Sequence, residues 1–121
     1  MNLSIVGATG NVGRATIKIL ERSKIAFDKL FLVASSKSVG KKIKFREKEI
    51  EIENLENYDF SKAQITIFAA GSKIAKDWAL KASKKTIVID NSSFFRMQKN
   101  IPLVVPEVNS AALDKHENII A

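Results

Sequence analysis

The sequence predicts an α/β fold of Rossmann-like, doubly wound type: a mostly parallel sheet with helices on both faces and one β-hairpin insertion. Three observations predict it. Short apolar, β-branched runs alternate with segments of helical periodicity; the stretch IVGATGNVGRA (residues 5–15) joins the first run to the first helix through three glycines at a spacing of three; and residues 43–53 instead alternate apolar and charged side chains.

Residues 2–6 are short and apolar, as a buried strand requires. From Asn11 the spacing becomes helical, with Val12, Ala15, Ile19 and Leu20 as the expected apolar face of a helix ending near Ser23. LFLVA (30–34) is the next buried strand, approached through residues 26–29. In IKFREKEIEIE (43–53), Ile43, Phe45, Ile50 and Ile52 alternate with charges around residues 46–48, which predicts a half-exposed antiparallel hairpin. A polar link through Asn54, Asn57 and Asp59 leads to ITIF (65–68), a buried strand ending in Ala69, Ala70, Gly71 and Ser72. Ser72 is the expected cap of a second helix whose apolar face is Ala75, Trp78, Ala79 and Ala82. TIVI (86–89) is a further strand closed by Asp90. An irregular stretch, a short amphipathic piece at 110–115 and the start of another buried strand at 118–121 complete the chain.

At 121 residues the chain is one domain of ordinary size, with no repeat, linker or low-complexity region. It contains no cysteine, which excludes disulfides, thiolate metal sites and a cysteine nucleophile from these residues; no metal site is expected. The N-terminus lacks the pattern of a signal peptide and no apolar run reaches membrane-spanning length, so a soluble cytoplasmic protein with no membrane partner is expected. The formal net charge is +7. The basic residues form no run interleaved with aromatics and match no nucleic-acid motif, so the expectation is a lysine-rich solvated surface favouring small anions, not nucleic acid.

In the strand–turn–helix context the glycines have a physical assignment. Gly7 permits the tight turn, Gly10 lets the backbone approach a pyrophosphate, and Gly13 lets the helix pack closely on the sheet. The helix N-terminus then directs its free N–H groups at the phosphates. A phosphate loop of the Walker type is excluded, because Gly13 is followed by Arg14 and Ala15. An acid at the end of the second strand would select NAD through the ribose hydroxyls. Asp28 lies at the wrong end of that strand, whereas the ligand end carries Ser35, Ser36, Lys37 and Ser38, which suit a 2′-phosphate and favour NADP. Ala70, Gly71 and Ser72 end the neighbouring strand and are expected beside the other half of the cofactor.

VGATGNVGR (6–14), ASSKSVGKK (34–42), FAAGS (68–72), DNSSFFRM (90–97) and PLVVPEVN (102–109) together resemble the N-terminal domain of the aspartate-semialdehyde dehydrogenase family, in order and over the whole chain. GATGNVG is shared with many NADP-binding proteins; DNSSFFRM followed by PLVVPEVN is far more specific. The resemblance implies an NADP-dependent enzyme that reversibly reduces aspartyl phosphate to aspartate semialdehyde and phosphate, through a thioester on a cysteine, in lysine, threonine and methionine biosynthesis. Those small molecules are its implied partners, and the full-length protein is implied to be a homo-oligomer. On this resemblance Gly7, Thr9, Gly10, Asn11, Val12 and Gly13 border the pyrophosphate, and Ser35, Ser36, Lys37 and Ser38 border the 2′-phosphate. Gly71, Ser72 and Asn91 lie nearer the nicotinamide. Arg96 matches the arginine that grips the phosphate or carboxylate end of the substrate, a task suited to a bidentate, always-charged guanidinium.

The family's cysteine motif follows a strand like 118–121, and its histidine base and dimer-forming domain come later. Residues 1–121 are therefore expected to be the NADP-binding domain, with the catalytic and dimerisation domain absent, no catalytic residue of their own, and cofactor binding without turnover. His116 matches no catalytic position and is expected on the surface. Two alternatives stand beside this reading. An N-acetyl-glutamyl-phosphate reductase-like domain shares the architecture but fits SFFRM and PLVVPEVN poorly, and a non-catalytic NADP-sensing module suits the absence of a nucleophile.

Overall fold

Short apolar runs become parallel strands, the first buried on both faces and those at 65–68 and 87–90 buried more deeply on one face than on the other. The computed structural model describes residues 1–92 and 119–120. Strand β1 is Leu3–Val6, followed by helix α1 (Asn11–Arg22) and β2 (Leu30–Ala34). The hairpin strands are β3 (Lys42–Phe45) and β4 (Lys48–Asn54), then come β5 (Ile65–Phe68), helix α2 (Ser72–Ser83), β6 (Ile87–Asp90) and β7 (Ile119–Ile120). The sheet order is β3-β4-β2-β1-β5-β6-β7, all parallel except β3 against β4.

Alternate residues of each strand enter two separate cores, which is the physical content of double winding. Leu3, Ile5, Leu30, Leu32 and Ile52 pack with Ile17 and Leu20 of α1, while Val6, Val33, Phe68 and Val88 pack with Ala75, Ala79 and Ala82 of α2. Polar side chains are also tolerated inside when they satisfy one another. Ser4, Thr66 and Thr86 form a buried hydroxyl row, with Ser4 Oγ 2.6 Å from Thr66 Oγ1 and that oxygen 3.1 Å from Thr86 Oγ1.

Two expectations about this fold require correction. The buried face of α1 is Gly13, Ile17 and Leu20, whereas Val12 and Ile19 are 52% and 68% exposed. A helix settles on the stripe that permits the closest backbone approach, and here that stripe contains a glycine, which carries no weight in a hydrophobic pattern. The expected hairpin is present, and its second strand also joins the main sheet, because Ile52, Glu53 and Asn54 of β4 pair in parallel with Leu32, Val33 and Ala34 of β2. Finally, the link after β4 is polar only in part. Leu55, Tyr58 and Phe60 are buried and cover the α2-side core, with Tyr58 edge-on to Phe60 at 5.2 Å. The intervening Asn54 and Asp59 accept backbone N–H bonds from Glu56 and Ser61, holding two short 3₁₀ turns in place of a crossover helix.

The hairpin turn is strained and then anchored. Arg46 and Glu47 both have positive φ, 47° and 70°, in the two-residue geometry that normally selects glycine or asparagine. Arg46 directs its Nη2 to the carbonyls of Leu20 (2.9 Å) and Ser23 (3.1 Å), placing its positive charge at the negative end of α1. Its backbone N–H donates to Glu21 Oε2 at 2.8 Å, and its guanidinium lies 5.3 and 5.1 Å from the centroids of Phe27 and Phe45. Arg46→Ala should therefore lower stability by about 2 kcal/mol. Glu47→Gly, which removes the same backbone strain without losing such contacts, should raise it by up to about 1 kcal/mol. Urea unfolding midpoints moving in the same direction for both variants would contradict this account.

Candidate functional site

The chain winds outward from β1 in one direction through β2 and β4, and in the other through β5 and β6, so the order reverses between β1 and β5. A crevice opens at the carboxyl ends of strands at such a reversal. The register Val6 with Val33 and Val6 with Phe68 brings the ends of β1, β2 and β5 level there. The resulting hollow, about 310 Å³, is lined by Val6, Gly7, Thr9, Gly10, Ala34, Ser35, Leu55, Ala69, Ala70 and Ile74.

The three glycines of the turn have three different reasons to be glycine. Gly7 has φ +87°, and a Cβ there would meet the carbonyl of Ala69 and the Cβ of Ala70 at 2.8 Å. A Cβ on Gly13 would fall on the carbonyl oxygen of Gly7 and 2.8 Å from its carbon. Both are fixed by the protein's own packing. Gly10 is different: its φ is −78°, it is exposed, and its nearest neighbour for a Cβ is Gly7 O at an ordinary 3.5 Å. Among the described residues no atom forbids a side chain at Gly10, and Gly10 lines the hollow.

The turn is held rigidly around that space. The N–H groups of Gly7 and Ala8 both donate to Val33 O (2.9 and 3.3 Å), Gly10 N–H donates to Gly7 O (3.1 Å), and Arg14 Nε donates to Thr9 O (3.0 Å). Gly10 is the N-cap of α1 and supplies no side-chain oxygen, and no acid lies in the first turn. The amides of Asn11, Val12 and Gly13 thus form a helix N-terminus with no acid in its own first turn, at a place where the macrodipole favours an anion.

Of the other expected residues, Ser35 lines the hollow, and Ser36, Lys37 and Ser38 follow it in a short 3₁₀ turn. Ser36 and Lys37 are exposed, whereas Ser38 is buried with its Oγ 3.3 Å from Thr9 Oγ1, tying this turn to the glycine turn. Gly71 has φ +89° and is the N-cap of α2, so Ser72 begins that helix instead of capping it, a correction to the sequence reading. At this positive φ an L-residue in the cap position would be strained, and glycine is not. Asn91 follows β6 at the same end of the sheet, where its N–H donates to Phe68 O at 3.0 Å. Arg96, His116 and the amphipathic segment 110–115 lie outside the described residues.

Asp28 is indeed far from this crevice. Its Oδ2 is 2.6 Å from the N-terminal ammonium, whose hydrogen bond and charge hold the carboxyl below its ordinary range. Leu55, Ile74, Ala34 and Ala69 are lining residues that sequence reasoning missed. Leu55 was legible only once β4 was known to be a parallel strand, since its carboxyl end then joins the others. Among the described residues no group of His, Asp or Glu is arranged to hold a metal ion, and no helix is long and apolar enough to cross a membrane.

Comparison with known proteins agrees with this geometry. The family model "Semialdehyde dehydrogenase, NAD binding domain" matches residues 2–116. An aspartate-semialdehyde dehydrogenase of Rickettsia bellii is 43% identical over 113 residues, covering 93% of this chain and 33% of its own. One from Vibrio mimicus is 42% identical, covering 99% of this chain and 39% of its own. Among solved structures, aspartate semialdehyde dehydrogenase II of Vibrio cholerae complexed with ASA superimposes with a TM-score of 0.96 at 42% identity, over 99% of this chain and 40% of that one. The enzyme of Candida albicans with NADP gives 0.80 at 28% identity, over 93% of this chain and 35% of that one. The chain thus spans between a third and two-fifths of the length of these relatives. With a strand order that reverses at β1/β5, a helix N-terminus with no acid in its first turn at the reversal and a family match over nearly its whole length, the chain belongs to the semialdehyde dehydrogenase NAD-binding domain family.

Proposed function

We propose that these residues are the NADP-binding part of an aspartate-semialdehyde dehydrogenase, which interconverts aspartyl phosphate and aspartate semialdehyde plus phosphate. The observation that carries the cofactor assignment is Gly10, a glycine beside which the described residues leave room for a side chain, set where a pyrophosphate would meet the first turn of α1. Asn11, Val12 and Gly13 offer backbone N–H groups to the phosphates, and Gly7 and Thr9 shape the turn beneath them. Ser35, Ser36 and Lys37 stand where a 2′-phosphate would lie, with Ser38 holding their turn through Thr9. Leu55, on the Ser35 side, gives the adenine an apolar surface, and Gly71, Ser72 and Asn91 border the nicotinamide half. Bound there, the nicotinamide supplies or accepts a hydride. Arg96 is assigned to the phosphate or carboxylate end of the substrate. These residues contain no cysteine, so a thiolate nucleophile is not among the groups they contribute. A cytoplasmic setting and a homo-oligomeric enzyme belong to the same proposal.

Titration calorimetry tests it. The chain should bind NADP more tightly than NAD, because Lys37 and two hydroxyls meet the extra phosphate and no carboxylate repels it. Lys37→Glu should weaken NADP binding about tenfold or more and narrow or reverse the preference. Equal affinity for the two cofactors in the unaltered chain would remove the 2′-phosphate assignment.

A further inference from the structure

A second hollow, of about the same size as the dinucleotide crevice, lies elsewhere in the described residues. It lies at the opposite end of β2, has a volume of about 340 Å³ and is lined by residues 27–31 together with Phe45, Arg46, Lys48 and Ile50. Its origin is a split in the sheet. β2 and β4 pair only through Leu32, Val33 and Ala34 with Ile52, Glu53 and Asn54. Before that point Leu30 and Phe31 have a strand partner only in β1, and Lys48, Glu49, Ile50 and Glu51 have one only in β3. The two strands diverge from Leu32 like the arms of a wedge.

The wedge is not a casual surface dip. Its walls are apolar side chains on the α1 side of the sheet, Leu30 of β2, Phe45 of β3 and Ile50 of β4, with Phe27 between, while Phe31 at its edge belongs to the opposite core. Phe27 and Phe45 stand 5.9 Å apart and are held by the Arg46 guanidinium, which is itself fixed to the end of α1. Phe31 packs against Tyr58 at 6.2 Å. Rigid aromatic walls of this kind lose little entropy on binding. The volume falls within the range of small-molecule sites, roughly 300–1,000 Å³.

The charge at the wedge is one-sided. Lys29 and Lys48 are exposed lining residues, and neither is in an ion pair among the described residues. The only lining acid, Asp28, is already paired with the N-terminal ammonium at 2.6 Å. Arg46 adds a further positive charge, and the chain as a whole carries +7. An anion is therefore attracted to the rim while an apolar body is attracted to the walls.

We propose that this wedge is a second binding site, separate from the dinucleotide crevice, for a small amphipathic carboxylate whose apolar or aromatic body sits between Phe27, Phe45 and Ile50 and whose carboxylate meets Lys29 and Lys48. The apolar body provides affinity and the two lysines select the acid over a neutral molecule of the same shape.

The test is an NMR titration of the chain with phenylbutyrate, and with phenylbutanol as its neutral counterpart. Phenylbutyrate should give saturable shifts in the backbone amides of residues 27–31 and 45–50, leave residues 7–13 unmoved, and bind more tightly than the alcohol. The variant Lys29→Gln/Lys48→Gln, with both changes on exposed side chains, should keep its spectrum and weaken phenylbutyrate about tenfold, with little effect on phenylbutanol. Ile50→Trp, filling the wedge from one arm, should abolish binding of both. The absence of saturable shifts in residues 27–31 and 45–50, equal affinity for acid and alcohol, or an unchanged acid affinity in the double glutamine variant would each overturn the proposal.

Discussion

Gly10→Val is expected to abolish dinucleotide binding while leaving the domain folded. The backbone at Gly10 is extended, with φ −78° and ψ 172°, a conformation that valine adopts readily. Among the described residues the only neighbour near its Cβ is Gly7 O at 3.5 Å. Loss of stability should be limited to the poorer capping of valine, about 1 kcal/mol or less. Binding should suffer far more, because the added methyls would crowd the helix N-terminus beside the hollow that Gly10 lines. Steric overlap costing roughly 3 kcal/mol corresponds to a loss of about a hundredfold in affinity. Calorimetry with NADP and a thermal melt separate the two effects. Normal affinity in a folded variant would show that the pyrophosphate does not lie against Gly10.

Gly13→Ala should do the opposite, damaging the fold first. Alanine is the better helix former by about 1 kcal/mol, which by itself would make this substitution favourable. Its Cβ, however, would fall on the Gly7 carbonyl and within 2.9 Å of Ala8 Cα. Neither can yield cheaply, because the N–H groups of Gly7 and Ala8 are both bonded to Val33 O, and Gly7 itself is confined by Ala69 and Ala70. Relief would require α1 to lift from the sheet, opening the contact of Ile17 and Leu20 with Leu3, Ile5 and Leu32. The overlap outweighs the propensity gain, and a net destabilisation of about 3 kcal/mol is expected. Chemical denaturation measures it directly. A stability equal to or above that of the parent would mean that α1 does not press on the glycine turn as described. Together the two variants divide a motif that reads as one unit into a part serving the fold and a part serving the ligand.

That division could not be made from the spacing of the glycines, although much else could. The strand–turn–helix unit at the N-terminus, the strands at 30–34 and 65–68, the second helix with Ala75, Ala79 and Ala82 inward, and the hairpin near residue 46 are local patterns, and local patterns survive in the sequence. So did the position of Asp28 at the wrong end of β2, because a residue preceding a parallel strand must lie opposite its carboxyl end.

What the sequence determined by itself was the set of elements, their alternation and hence the class of fold and the end of the sheet at which a dinucleotide would bind. The tertiary structure decided which face of α1 is buried, because a glycine in close contact with Gly7 outranks the larger side chains of Val12 and Ile19 only when the sheet is present to approach. It decided that β4 belongs to the parallel sheet, because that pairing is with β2, some twenty residues earlier, and hydrophobic alternation does not record the partner. From that single pairing followed the placement of Leu55 at the crevice and the wedge between β2 and β4. Both are products of how strands distant in the chain meet and part, and only strand register carries that information.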